Sequence, residues 1–260
     1  LQRGDIFEIN YCMEFFMKNC RLSPEDLYLA YSQNYPAPFG AYYKQGDVYL
    51  ISSSPERFMK KVGRKILSQP MKGTGKRSRH PAENERLANS LRNDPKEIAE
   101  NTMIVDLVRN DLSRVAAPGS VKVEELRGVY PFGHVHQMIS TVSCELDARE
   151  HPVAAIKAAF PMGSMTGAPK IRAMELADRY ERTCRGLYSG AVGYFEPGGD
   201  FDFNVVIRSF QYNARAKYLN YLAGSAITAL SEADMEYKEC LLKAKAVHGV
   251  LSRTSDHVAL

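Results

Sequence analysis

The chain has 260 residues, 45% hydrophobic and 25% charged, a balance that excludes a disordered chain and suits a globular protein with one large core or two small ones. Net charge is only +4, and the basic residues are dispersed apart from the run Lys72 to His80, so a nucleic-acid partner is not expected. No apolar stretch approaches a membrane span and the opening Leu1-Gln2-Arg3-Gly4-Asp5 is unlike a signal peptide; five scattered cysteines without a CxxC pair point to a reducing, cytoplasmic setting.

In chain order, the first third reads as strands over Asp5 to Phe16, Phe39 to Lys44, Val48 to Met59 and Lys65 to Met71, with turns at Gln45-Gly46-Asp47 and around Gly63-Arg64. A helix is expected from Asp94-Pro95-Lys96-Glu97, where Asp94 caps and Pro95 fills the first helical position, to about Leu112. Gly119 to Leu146 returns to strand-like text; Pro152 to Phe160 and Pro169 to Tyr180 read as helices. Strands Leu187 to Phe195, Phe203 to Tyr212 and Lys217 to Ala223 follow, and a closing helix is expected from Ser231. With no repeat and no long linker, a single domain over residues 1–260 is the simplest organisation. The missing initiator Met leads to the expectation that N-terminal residues of a longer protein precede Leu1.

Several groups could carry chemistry. Lys72 ends an apolar run before a Gly-rich turn, where an amine serves as a nucleophile, an anion clamp or a solvated strand end. Glu97 with Glu100, and Glu236 with Glu239, are pairs three apart on helices; two such pairs facing each other supply the hard oxygen ligands that Mg²⁺ prefers. The loop Phe160 to Lys170 runs into a helix whose first turn holds Pro169, a junction that is either an anion site or a plain capped turn. Neither nucleotide fingerprint fits, so a small carboxylate ligand is expected. Arg208, near the end of an apolar strand, and Tyr188, in Arg185-Gly186-Leu187-Tyr188-Ser189-Gly190, could fork onto one carboxylate. His134 and His136 share a face if their segment is a strand, but no cysteine or third histidine stands near them to complete a zinc site.

Ser54-Pro55-Glu56, Pro70-Met71-Lys72-Gly73-Thr74, the run Ala99 to Asp111 and Gly163-Ser164-Met165-Thr166-Gly167-Ala168-Pro169-Lys170 together resemble the chorismate-utilising enzymes, and Arg185 to Gly190 and Ala223 to Ile227 extend the likeness. The resemblance covers nearly the whole chain in the right order. It implies an α+β fold of two stacked, mostly antiparallel sheets flanked by helices, with Mg²⁺ and chorismate bound between them. By that likeness Glu100 and Glu239 are metal ligands, and Glu97 and Glu236 are supporting carboxylates. Arg208 and Tyr188 hold the enolpyruvyl carboxylate. The backbone of Gly224, Ser225 and Ala226 and the ammonium of Lys243 face the ring carboxylate, and Thr74, His136 and Thr166 line the rest.

Family members that add water at ring carbon 2 carry a lysine in the first strand, where this chain has Glu8, which disfavours that activity. Members that aminate carbon 2 usually have a small residue in the Pro-x-x-Gly-Thr segment, whereas those that aminate carbon 4 have lysine. Lys72 therefore points to amination at carbon 4, giving 4-amino-4-deoxychorismate, with anthranilate formation at carbon 2 as the alternative. The likeness implies that Lys72 attacks ring carbon 2 while Glu56 protonates the departing hydroxyl, and that ammonia from a glutamine amidotransferase partner then expels Lys72. One geometric condition remains open in the sequence. A three-residue loop Gly63-Arg64-Lys65 sets Glu56 opposite Lys72, whereas a two-residue loop Gly63-Arg64 pairs Glu56 with Met71 and turns Lys72 away.

Overall fold

The structure, a computed structural model, describes residues 1–133 and 135–254. It contains helices and two antiparallel sheets, and the chain folds into two compact units.

Of the described residues, the first unit comprises 1–55, 171–192 and 205–254. Its strands β1 (Glu8–Met17), β2 (Phe39–Gln45), β3 (Val48–Ser54), β12 (Ser209–Asn213) and β13 (Tyr218–Thr228) lie in the order β2-β3-β12-β13-β1. Helices α1 (Pro24–Asn34) and α6 (Ala233–Thr254) pack on it, and Leu27, Tyr31, Ile51, Phe210, Tyr221, Cys240 and Val250 form the buried cluster beneath them. The sequence reading missed α1. Its Ser23 cap accepts from the Asp26 N–H and Pro24 opens the first turn, but few apolar residues mark its face.

The second unit comprises residues 56–170 and 193–204. It holds β4 (Arg57–Val62), β5 (Lys65–Gln69), β6 (Met71–Lys76), α2 (Pro81–Arg92), α3 (Pro95–Ser113), β7 (Lys122–Phe132), β8 (Val135–Glu145), α4 (Pro152–Ala159), the short β9 (Gly167–Ala168) and β11 (Phe201–Val205). Here α5 (Lys170–Tyr180) begins, and β10 (Ala191–Phe195) ends at the sheet edge, in the order β10-β11-β4-β5-β8, with β6 and β7 also paired to β8. Asp94 caps α3 as expected, accepting from Lys96 N at 2.9 Å and Glu97 N at 3.1 Å. A cap contributes about 1 kcal/mol, whereas Ile104 and Leu112, both 0% exposed, contribute about 1.5–3 kcal/mol each, so packing on β6 and β8 holds this helix.

Three expected strands are each two strands. Pro55 divides Val48 to Met59 into β3 and β4, which belong to different sheets, and Val206-Ile207-Arg208 divides Phe203 to Tyr212 into β11 and β12. Pro70 divides β5 from β6, yet both run along β8 in one register, Ser68 opposite Val142 and Met71 opposite Ile139. Proline cannot donate to a ladder, so each proline break falls where the N–H is lost or the chain leaves the sheet. Leu187 to Gly190 form a turn rather than a strand start, and the helix α2, unmarked by a strong apolar stripe, was also missed.

Candidate functional site

The hairpin joining β4 to β5 pairs Val62 with Lys65, so its loop is the two-residue Gly63-Arg64. That register alone would turn Lys72 away from Glu56. Two irregularities intervene. The β4–β5 ladder shifts between Arg57 and Lys60, and the β6–β8 ladder shifts between Met71, opposite Ile139, and Thr74, opposite Gln137. Lys72 and Gly73 thus form a β-bulge, two residues facing the single Met138. The β4–β5 shift sets Arg57 opposite Gln69, which levels Glu56 with Pro70 and places it on the face that Lys72 shares two residues on. Gly73 has φ +95°, and a Cβ there would stand 3.0 Å from Oε2 of Glu97 and 3.1 Å from Cβ of Met138, so any other residue is strained here.

Glu56 is 4% exposed. Its Oε1 accepts the Ser164 hydroxyl at 2.8 Å and the Met71 N–H at 3.4 Å. Burial pushes its carboxyl up to about 7, against the Ser164 and Met71 hydrogen bonds and the Lys72 ammonium, all of which pull it down. Lys72 therefore stands close enough to act on Glu56 through space, and Glu56 is a carboxylic acid that exchanges its proton near neutrality.

Ser164 comes from the 3₁₀ turn Gly163–Met165. The loop around it is anchored by Lys170, whose ammonium meets Asp111 Oδ2 at 2.5 Å and the Ala159 carbonyl at 3.0 Å. Thr166, buried, spends its hydroxyl on the Met162 carbonyl at 3.0 Å. The loop thus delivers a hydroxyl to Glu56 through Ser164, a role the sequence did not single out. Thr74 donates to Gln137 at 3.0 Å. His136 is buried in β8 with Nε2 2.8 Å from Oδ1 of Asn84; its expected neighbour His134 lies outside the described residues.

On α3, Glu97 rests against Gly73, and Glu100 is 7% exposed with Oε1 3.8 Å from the Lys96 ammonium. In the first unit, Glu236 on α6 is likewise 7% exposed and takes a short hydrogen bond from the Ser225 hydroxyl, while the half-exposed Glu239 pairs with Lys243 at 2.6 Å. Among the described residues no three His, Cys, Asp or Glu side chains form a ready-made metal cluster. Glu100 and Glu236, each buried within its own unit, are hard oxygen donors of the kind a divalent cation takes. Lys243 also donates to the Gly224 carbonyl at 2.8 Å, so Lys243 is shared between Glu239 and β13.

Gly224 lies opposite Cys12, and a Cβ on it would meet Asn10 at 2.7 Å and Cys12 Sγ at 3.1 Å. Ser225 lies opposite Tyr11 and Ala226 opposite Asn10, and the β12 ladder on the other edge ends at Phe210 and Tyr221. Arg208 follows the Val206-Ile207 break with φ +51°, a left-handed backbone held by the Tyr31 hydroxyl and the Ser53 N–H, both donating to its carbonyl at 3.1 Å. Its guanidinium opposes the burial that pushes Tyr221 up to about 12. Tyr188 is buried; burial, the Cys12 thiol and Tyr221 hold its phenol well above the usual range, and Arg185 opposes them. Arg208 and Tyr188 therefore both border Tyr221. Arg185 carries the loop, bonding Glu181 at 2.6 Å, Ser189 at 2.8 Å and the Asn10 carbonyl at 2.9 Å. Glu8 is 1% exposed in β1, opposite Thr228.

Comparison with known proteins yields a consistent picture. The chorismate binding enzyme family matches residues 1–249. A probable chloroplastic aminodeoxychorismate synthase of Oryza sativa subsp. japonica is 41% identical over 99% of this chain and 29% of that protein. Aminodeoxychorismate synthase component 1 of Bacillus subtilis is 36% identical over 99% of this chain and 54% of its own length, and anthranilate synthase component 1 of Bacillus caldotenax is 41% identical over 84% and 42%. The solved structure of anthranilate synthase component I from Streptococcus pneumoniae superposes with a TM-score of 0.85 at 32% identity, covering 94% of this chain and 53% of that one. The chain thus spans about half or less of the length of each of these four relatives.

Proposed function

This chain belongs to the chorismate-binding enzyme family, and on that footing we propose that it aminates chorismate at ring carbon 4. The observation that carries the reading is Lys72, whose ammonium acts on a buried glutamic acid with its carboxyl pushed up to about 7. Names of aminodeoxychorismate synthases among its relatives support it, and those of anthranilate synthases keep amination at carbon 2 as the alternative.

In the proposed reaction the neutral Lys72 amine attacks ring carbon 2, both ring double bonds shift by one position, and the carbon 4 hydroxyl leaves as water with the proton of Glu56. Ammonia then adds at carbon 4, the double bonds shift back and Lys72 departs, giving 4-amino-4-deoxychorismate, the precursor of p-aminobenzoate and folate. Glu56 is suited to the first step because burial keeps its proton on near neutral pH, while Ser164 fixes its orientation. Arg208 and Tyr188 would hold the enolpyruvyl carboxylate. Lys243 and the Gly224-Ser225-Ala226 backbone would meet the ring carboxylate; Thr74, His136 and Thr166 would line the ring. Glu100 and Glu239, backed by Glu97 and Glu236, would hold Mg²⁺, which when bound offsets the negative charge of the substrate. Lys243 must then exchange its pairing with Glu239 for the substrate. Ammonia is proposed to come from a separate glutamine amidotransferase subunit.

The test is to incubate the chain with chorismate and Mg²⁺ in the absence of ammonia and digest it. A chorismate adduct less one water on the peptide containing Lys72 is the expected result. An unmodified peptide in a protein that turns over once ammonium is added would refute the covalent step.

A further inference from the structure

Asn84, on the first turn of α2, has a hydrogen-bonding geometry that determines where a proton sits on His136. The Ser78 N–H points at Oδ1 of Asn84, 3.2 Å away. A backbone N–H can only donate, so the amide atom facing it is the oxygen and not the nitrogen. That same oxygen lies 2.8 Å from Nε2 of His136. Two acceptors do not bond to one another, so Nε2 carries the hydrogen. A neutral imidazole has one N–H, and Nδ1 is left with a bare lone pair. Nδ1 is buried and has no hydrogen-bond partner among the described residues.

The scaffold around Asn84 is rigid enough to impose this. Ser78 donates to Glu83 at 2.6 Å and accepts from His80 N at 3.2 Å, and Asn84 N bonds the His80 carbonyl at 2.9 Å. A Cβ at Gly75, the residue opposite His136 on β6, would lie 3.3 Å from Leu91, so α2 sits directly on the strand beside the histidine.

We propose that Asn84 is a positioning residue that locks His136 as the Nε2–H tautomer, so that Nδ1 presents a buried acceptor to a hydroxyl or amine donor of the bound substrate. The tautomer follows from geometry alone; the statement that the donor is a group of chorismate rests on the amination reading above. The role differs from a steric one because it depends on an oxygen at Asn84 and not on its volume.

Long-range ¹⁵N–¹H NMR of the full chain labelled with ¹⁵N-histidine, with His136 assigned through His136→Gln, reads which ring nitrogen bears the proton. The wild type should show Nε2–H. Asn84→Leu should redistribute the proton between the two nitrogens and raise KM for chorismate about tenfold, the loss of one hydrogen bond, with a smaller change in kcat. Asn84→Asp, which retains an acceptor for both N–H groups, should keep the Nε2–H signal at pH 8. Nδ1–H in the wild type, or an Asn84→Leu protein with an unchanged tautomer, overturns the proposal. A redistributed tautomer with unchanged KM overturns the substrate contact and leaves the amination reading to product identification. Should Asn84→Leu not fold, the wild-type spectrum still decides.

Discussion

Ser164 donates its hydroxyl to Oε1 of Glu56 over 2.8 Å, and the pair lies 108 residues apart in sequence, buried together. A hydrogen bond to the carboxylate favours its ionised form, so Ser164 holds the Glu56 pKa lower than burial alone would set it. Replacing Ser164 with Ala should move the alkaline limb of the pH–rate profile, where Glu56 loses its acid proton, upward by about one pH unit, the equivalent of about 1 kcal/mol. An unshifted limb in a folded Ser164→Ala enzyme would remove Ser164 from this role.

The same burial links Glu56 to stability. Its folded pKa, about 7, is raised above the ordinary carboxylate value of 4.5, so the folded state binds the proton more tightly than the unfolded chain. Its contribution is fully present below pH 4.5 and is lost as pH rises through about 7, a loss of about 3 kcal/mol. Glu56→Gln should abolish this decline. Urea unfolding of both proteins at pH 5 and pH 8 checks it, and parallel pH dependences would contradict it.

Lys170 and Asp111 form an ion pair at 2.5 Å with Lys170 11% and Asp111 3% exposed. Lys170→Met leaves the Asp111 carboxylate buried without its ammonium and should cost about 3–5 kcal/mol. The double variant Asp111→Leu with Lys170→Met should recover most of that loss. Because the pair anchors the loop bearing Ser164, the single variant should also slow turnover more than its melting point explains.

Gly73 adopts φ +95°, and a Cβ there would stand 3.0 Å from the Glu97 carboxylate. Gly73→Ala should lower stability by about 1–3 kcal/mol and reduce carbon 4 amination, since relieving the clash shifts the bulge that contains Lys72. Chemical denaturation and initial rates with ammonium read the two effects separately.

Much of this was legible in the chain. The α3 helix shows because Asp94, Pro95 and the buried stripe Ile104, Val108 and Leu112 coincide. Motif order carried the family and the two-sheet class. The Lys72 geometry was not legible, because it depends on a register shift: the two-residue Gly63-Arg64 loop alone argues against the pairing, and the one-residue shift between Arg57 and Lys60 has no sequence mark. Pro55 and Pro70 look alike in sequence, yet one sends the chain to another sheet and the other leaves the register on β8 unbroken. Ser164 and Asn84 act on residues far along the chain, Glu56 and His136, and no local periodicity encodes such contacts.

The central claim is the position of amination, and product identification tests it directly. The wild-type chain and its Lys72→Ala variant are each incubated with chorismate, Mg²⁺ and ammonium, and the products separated and identified by mass and fluorescence. The account predicts 4-amino-4-deoxychorismate from the wild type and none from Lys72→Ala. Anthranilate from the wild type, or undiminished carbon 4 product from Lys72→Ala, would contradict it.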